Sequence, residues 1–288
     1  MKLTQLRGIF EGYGEIITAS VLWGTAGIFA KMISGMSAQS IIFYRVAIAF
    51  AVLFLVFILS GNLSRLRLSD KRSYLVLFSV LQVITMLAFF ESLMNGSVPV
   101  AVLLLYTAPV YVTIFSPLLL KERSTGKGWV ALILSIAGVI LIVDPGNIDF
   151  SIRSTGIIAG ILSGISYAFQ IMTSRHISKS YPGYSQAFWS FLIAALLLLP
   201  AVAVPIEIIE ENILYLVLLA IFPTIFAVSL YFNGLKKVRA ANASILGLIE
   251  PLSAVIFSII ILHNIISIPV MMGGALILAG GAIVTQEQ

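Results

Sequence analysis

The sequence of 288 residues has no cysteine, only two histidines, and charge on just 10% of its positions. Without cysteine there is no disulfide framework, no thiol nucleophile and no thiolate metal site. The two histidines, His176 and His263, sit at the ends of apolar runs. No H-E-x-x-H pair occurs, and "GILSGIS" lacks the G-x-S-x-G spacing of a nucleophile elbow, so neither a metal site nor an enzyme is expected. No G-x-x-x-x-G-K-[ST] loop is present, which removes nucleotide hydrolysis as an energy source, and no cofactor is implied. The shortage of charge is the strongest exclusion. A soluble domain carries about 25% charged residues, so a chain that is 60% hydrophobic has to place the excess against lipid tails. The net charge of +5 falls in short loops, not on one face, and it reads as an orientation signal without a nucleic-acid partner.

What the sequence does have is apolar runs of nearly equal length. Ten segments, at 14–34, 38–60, 73–94, 98–120, 128–144, 156–175, 184–205, 213–235, 241–262 and 266–285, approach the roughly 20 residues needed to cross about 30 Å of hydrocarbon. The start, "MKLTQLRGIFEGYGE", has no cleavage pattern and carries Glu11 and Glu15, so it does not read as a removable signal. Its Leu3, Leu6 and Phe10 suit a position on the membrane surface. Alternate loops collect the cations: Lys2 and Arg7; Arg65, Arg67, Lys71 and Arg72; Lys121, Arg123 and Lys127; Arg175 and Lys179; Lys236, Lys237 and Arg239. The opposite loops hold only Lys31 and Arg153, beside "DPGNID" and "EIIEEN". The positive-inside rule then predicts a multi-pass protein of the cell membrane with both termini cytoplasmic.

The chain also repeats itself. At an offset of 142 residues "FNGL" falls on "FESL", "PLSAVIFS" on "PVYVTIFS", and "LILAGG" on "LSIAGV". Five helices per copy is an odd number, so the copies cross in opposite senses. The predicted fold is an all-α membrane protein of ten transmembrane helices, arranged as two inverted five-helix repeats over 1–150 and 151–288.

"LWGTAGIFAK" at 22–31 followed by Arg45, "GLIEPLSAVIFS" at 247–258 and "GGALILAGGAIV" at 273–284 resemble the EamA-type transporters of the drug/metabolite transporter superfamily. The likeness runs over nearly the whole chain. It implies a secondary transporter, commonly an exporter of amino acids or related metabolites. Such proteins typically end the fourth and ninth helices with a glutamate. Glu122 matches, whereas His263 and Asn264 occupy the second position, so no role for a second glutamate carries over.

Individual residues can be weighed without that likeness. Arg45, Glu91 and Glu250 are the ionisable groups deepest in apolar runs, where a charge costs about 2.5–3.5 kcal/mol on insertion scales. Arg45, about 10 Å below the outer surface by helical rise, and Glu91 are expected to pair or to form an outer gate. Glu250 lies nearer the midplane, and two roles stay open: a proton carrier, or the counter-charge to a substrate amine. A hydrogen-bonded strut is the plain alternative. Pro251 frees the Gly247 carbonyl and Pro109 frees that of Leu105, so matched kinks are expected near a central site. Trp23, Tyr106 and Tyr167 supply aromatic faces for a cation, and Gln82, Gln170 and Asn233 supply amides. Gly156, Gly160 and Gly164 share one helix face suited to close packing. The reading is a secondary active transporter for a small metabolite, an amino acid or related amine or drug-like compound, by alternating access with proton or cation coupling. A passive channel for a small polar solute is the alternative.

Overall fold

The computed structural model describes residues 2–95, 98–143, 154–199, 203–263 and 267–286. Asn264, Arg153 and the acidic stretch at 144–149 lie outside them, as do the side chains of Lys2, Leu3 and Leu6. Among the described residues the chain is helical throughout, with no strand.

In order, the helices are α1 (Lys2–Trp23), α2 (Ala26–Met32), α3 (Ala38–Leu59), α4 (Arg72–Asn95), α5 (Val98–Leu105), α6 (Ala108–Leu119), α7 (Gly126–Val143), α8 (Ser154–Ile177), α9 (Gly183–Leu197), α10 (Ile206–Ala220), α11 (Ala227–Leu235), α12 (Ala240–Gly247), α13 (Ile249–Leu262) and α14 (Ile268–Thr285). A π-turn, Ile221–Phe226, joins α10 to α11. Eight stretches are long and apolar enough to cross a bilayer. The other two expected crossings are occupied by the broken pair α1 and α2 and by α9, whose 15 residues span only about 22 Å. Outward-facing Phe54, Leu55, Ile133, Ile158, Leu214 and Leu278 are among the many exposed apolar side chains, which identifies lipid as the solvent of this surface.

The breaks follow from proline chemistry. α5 ends at Leu105 and α12 at Gly247, the two carbonyls that Pro109 and Pro251 leave without an amide donor. A third interruption has its own remedy. Pro223 frees the Leu219 carbonyl, and the Thr224 hydroxyl donates to that oxygen at 2.7 Å, so the π-turn keeps its acceptor satisfied in a place without water.

Element bounds repeat at the 142-residue offset: α5 falls on α12, and α7 on α14, at both ends. The offset partners α7 and α14 pack along their length, and α4 with α8 is matched by α11 with α1. Glycines set these distances. A Cβ on Gly138 would lie 2.5 Å from the Gly273 carbonyl oxygen, and one on Gly273 equally close to that of Gly138. Gly164 likewise abuts the Leu104 carbonyl, and Gly160 abuts Leu104 and Ser92. The glycine face of α8 is therefore a packing surface. At the end carrying the basic loops, the bundle is filled by Phe78, Tyr231, Phe232 and Leu235, all 2% exposed or less, with the Phe78 and Phe232 rings 4.8 Å apart edge to face.

Candidate functional site

Several interruptions within the apolar crossings come close to one another. The break between α1 and α2, the break between α5 and α6, the π-turn and the break between α12 and α13 surround a cavity of about 180 Å³, lined among others by Trp23, Ala26, Arg45, Gln82, Leu105, Tyr167, Gln170 and Glu250. Non-helical backbone at membrane depth is tolerated where it lines a cavity. The void occupies the middle of the bundle. Phe232 and Val228 form its floor.

Two opposite charges share this space. Arg45, on α3, donates its Nε to the Thr224 hydroxyl at 2.6 Å. Glu250, in the first turn of α13, has Tyr106 beside it and feels the Arg45 charge. Protein encloses Glu250, which still presents surface to the cavity. No ion pair joins it to Arg45 among the described residues. The acid thus stands in the first turn of a helix, where the dipole favours negative charge. A guanidinium stands opposite, fixed through one nitrogen.

Amides and aromatics complete the wall. Gln170 Nε2 donates to Gln82 Oε1 at 3.3 Å, tying α8 to α4, and the Thr85 and Ser166 hydroxyls meet at 2.9 Å just beside them. The Trp23 ring lies 4.8 Å from that of Tyr231, and Tyr167 stands next to Tyr231. An apolar box with a few convergent polar groups is the ordinary character of a small-molecule pocket.

Six of the residues expected from sequence line the cavity together: Trp23, Arg45, Gln82, Tyr167, Gln170 and Glu250. Tyr106 stands beside Glu250, and Pro109 and Pro251 stand just after the breaks. Two expectations are corrected. Asn233 points away, donating to Glu15 Oε1 at 2.7 Å; it follows Phe232, and one residue turns a helix by about 100°. Glu91 is exposed and accepts from Asn95 Nδ2 at 2.6 Å, so the expected pair with Arg45 is not made. Similar depth did not imply a shared face. Thr224, Thr85, Met86 and Phe232 belong to the site and were not anticipated. For Thr224 a signal existed, because it stands 142 residues after Gln82.

Comparison with known proteins finds one matching family model and relatives named as transporters. The EamA-like transporter family model matches twice, at residues 11–144 and 154–286. A protein of Archaeoglobus fulgidus named as an uncharacterized transporter is 31% identical over 277 residues, covering 96% of this chain and 97% of its own. An uncharacterized inner membrane transporter of Salmonella typhimurium, YicL, is 27% identical over 287 residues, covering 96% of each. A solved crystal structure superposes with a TM-score of 0.83 at 18% identity, covering 96% of both chains, which supports the fold.

Proposed function

Because the chain belongs to the EamA-like transporter family, a family of non-enzymatic multi-pass membrane transporters, we propose that it is a secondary active exporter of a small zwitterionic metabolite, an amino acid or close relative. The observation that carries this reading is the unpaired arrangement of Arg45 and Glu250 around one cavity. Two buried opposite charges gain most by neutralising one another. Unpaired, with Arg45 bonded to Thr224 and Glu250 beside Tyr106, they suit a ligand that brings a carboxylate to Arg45 and an ammonium to Glu250. Arg45 has its terminal nitrogens to offer, in the fork geometry that matches a carboxylate. Trp23 and Tyr167 supply ring faces for the substrate's body or its cation.

Transport then proceeds by alternating access. Ten crossings in two inverted five-helix units, 1–150 and 151–288, rock about the central cavity, in the cell membrane with both termini cytoplasmic. Glu250, the one carboxyl at the cavity, couples the cycle to a proton or serves as counter-charge to the ammonium. The test uses purified protein in liposomes loaded with single unlabelled L-amino acids and exposed to a radiolabelled one. Saturable uptake accelerated by the internal amino acid is the expected result. Flux that does not saturate and shows no exchange would identify a passive channel instead.

A further inference from the structure

Glu122 has both carboxylate oxygens hydrogen-bonded, and it is not among the residues that line the cavity. Its Oε1 accepts from Arg175 Nε at 2.7 Å, and its Oε2 accepts from the Ala240 amide at 2.8 Å. Arg175 in turn donates from NH1 to the Leu235 carbonyl at 2.9 Å and the Lys236 carbonyl at 2.6 Å. Those carbonyls end α11, and Ala240 begins α12. An anion thus caps a helix start and a cation caps a helix end, each where the orphan backbone groups and the dipole favour it. Both side chains are mostly buried, 17% and 23% exposed.

The backbone is shaped to deliver Glu122. Lys121 adopts φ 59°, the left-handed conformation usually left to glycine after a helix, and the Glu122 amide reaches back to the Ser116 carbonyl at 3.3 Å. Pro117 frees the Thr113 carbonyl, which accepts from the Ser124 hydroxyl at 3.3 Å. A non-glycine residue held there costs about 1–3 kcal/mol unless its surroundings fix it.

Both partners of this carboxylate come from the other family-model match: Glu122 lies in 11–144, while Arg175 and Ala240 lie in 154–286. A second acid repeats the pattern. Glu15 Oε1 accepts from Lys237 Nζ at 2.9 Å and from Asn233 at 2.7 Å. Neither cluster has a described counterpart at the opposite end. At the 142-residue offset Arg175 corresponds to Ile33, which packs with Leu216 and Leu219, and Glu15 corresponds to Ile157. Among the described residues, the ion pairs between the two units are at the basic-loop end.

We propose that Glu122 and Arg175 are a latch between the two units that keeps the basic-loop end of the transport path closed, and that its release opens the central cavity to that end. The proposal rests on the alternating-access reading. In the conformation seen here the ionic contacts of Glu122 and Glu15 hold the basic-loop end together, whereas the offset position of Arg175 is Ile33, beside Ser34, whose backbone bonds the neutral Asn212.

The absence of native cysteine permits a direct test in detergent. Spin labels are placed at the latch end, on cysteines replacing exposed Arg123 and Lys236, and separately at the far end, on cysteines replacing exposed Met94 and Ile268. Glu122→Gln and Arg175→Gln should each raise the long-distance population at the latch end about tenfold, as expected for loss of one charge-assisted contact, and shorten the far-end distance in step. Unchanged distances at both ends would overturn the latch, with exchange in liposomes left to judge the carrier reading separately. Lengthening at the latch end alone would reduce the pair to a local tether and overturn the proposal. Failure of both variants to fold would do so too, by making the pair a structural strut.

Discussion

Arg45 commits its Nε to Thr224 at 2.6 Å and makes no ion pair with Glu250, although both line the same cavity. The arrangement holds a cation and an anion apart in a setting where each is costly alone. It makes Thr224 a positioning residue. Thr224→Val keeps the shape and removes the acceptor, so a carboxylate-bearing substrate should bind roughly tenfold more weakly, the worth of one hydrogen bond to a charged group. The check is a rise in KM for uptake with kcat little changed.

Glu250→Gln should leave the protein folded and abolish concentrative transport. Gln preserves shape and never carries charge. A proton carrier fixed as neutral still exchanges substrate for substrate, because no net proton moves, whereas loss of a counter-charge weakens binding itself. Near-normal concentrative uptake by the Gln variant between about pH 5.5 and 8 would leave Glu250 as a strut between helices.

Glu91→Gln should be almost silent. Its partner is Asn95 on the same exposed helix turn, and exposed contacts of this kind contribute about 0–1 kcal/mol. In a double-mutant cycle with Arg45→Gln, losses in transport rate should add within error.

Gly138→Leu should loosen or break the bundle. A Cβ there lies 2.5 Å from the Gly273 carbonyl and 2.8 Å from Ile277 Cγ1, so helices must separate. Overpacking costs about 1–3 kcal/mol, and the thermal midpoint in detergent should fall by about 5 °C or more.

Orientation is testable with single cysteines at Glu211 and Asp70, both exposed. An impermeant thiol reagent outside intact cells should label position 211 and spare position 70. Asn212 does not suit this purpose, since its side chain is 3% exposed and bonded to the Ser34 backbone in both directions.

Eight of the apolar crossings and the breaks before Pro109 and Pro251 were legible in the sequence because each rests on one-dimensional information, whereas the break after Trp23 and the π-turn were not. Apolar run length predicts a crossing, and Pro109 and Pro251 predict the carbonyls at which α5 and α12 end. Depth was legible as well, which is why Arg45, Gln82, Tyr167, Gln170 and Glu250 meet. Azimuth was not. Asn233 and Phe232 are neighbours at one depth, yet one faces Glu15 and the other the cavity. The π-turn at Ile221–Phe226 adds a residue to the helical count, and no periodicity argument places Thr224 against Arg45 after such an insertion.

The α7 and α14 contact has a property that neither helix has alone. The 142-residue offset carries Gly138 to Gly280 and Ala131 to Gly273, and the touching pairs are Gly138 with Gly273 and Gly280 with Ala131. Each contact therefore occurs twice with its members exchanged, as across the dyad of a homodimer. Such an isologous seam looks the same from either unit and keeps its partners when the two exchange conformations, so it can serve as a fixed axle. Two polypeptides ending at Val143 and beginning at Ser154 would retain that seam whole, and a chain made as two co-expressed halves should reassemble across it.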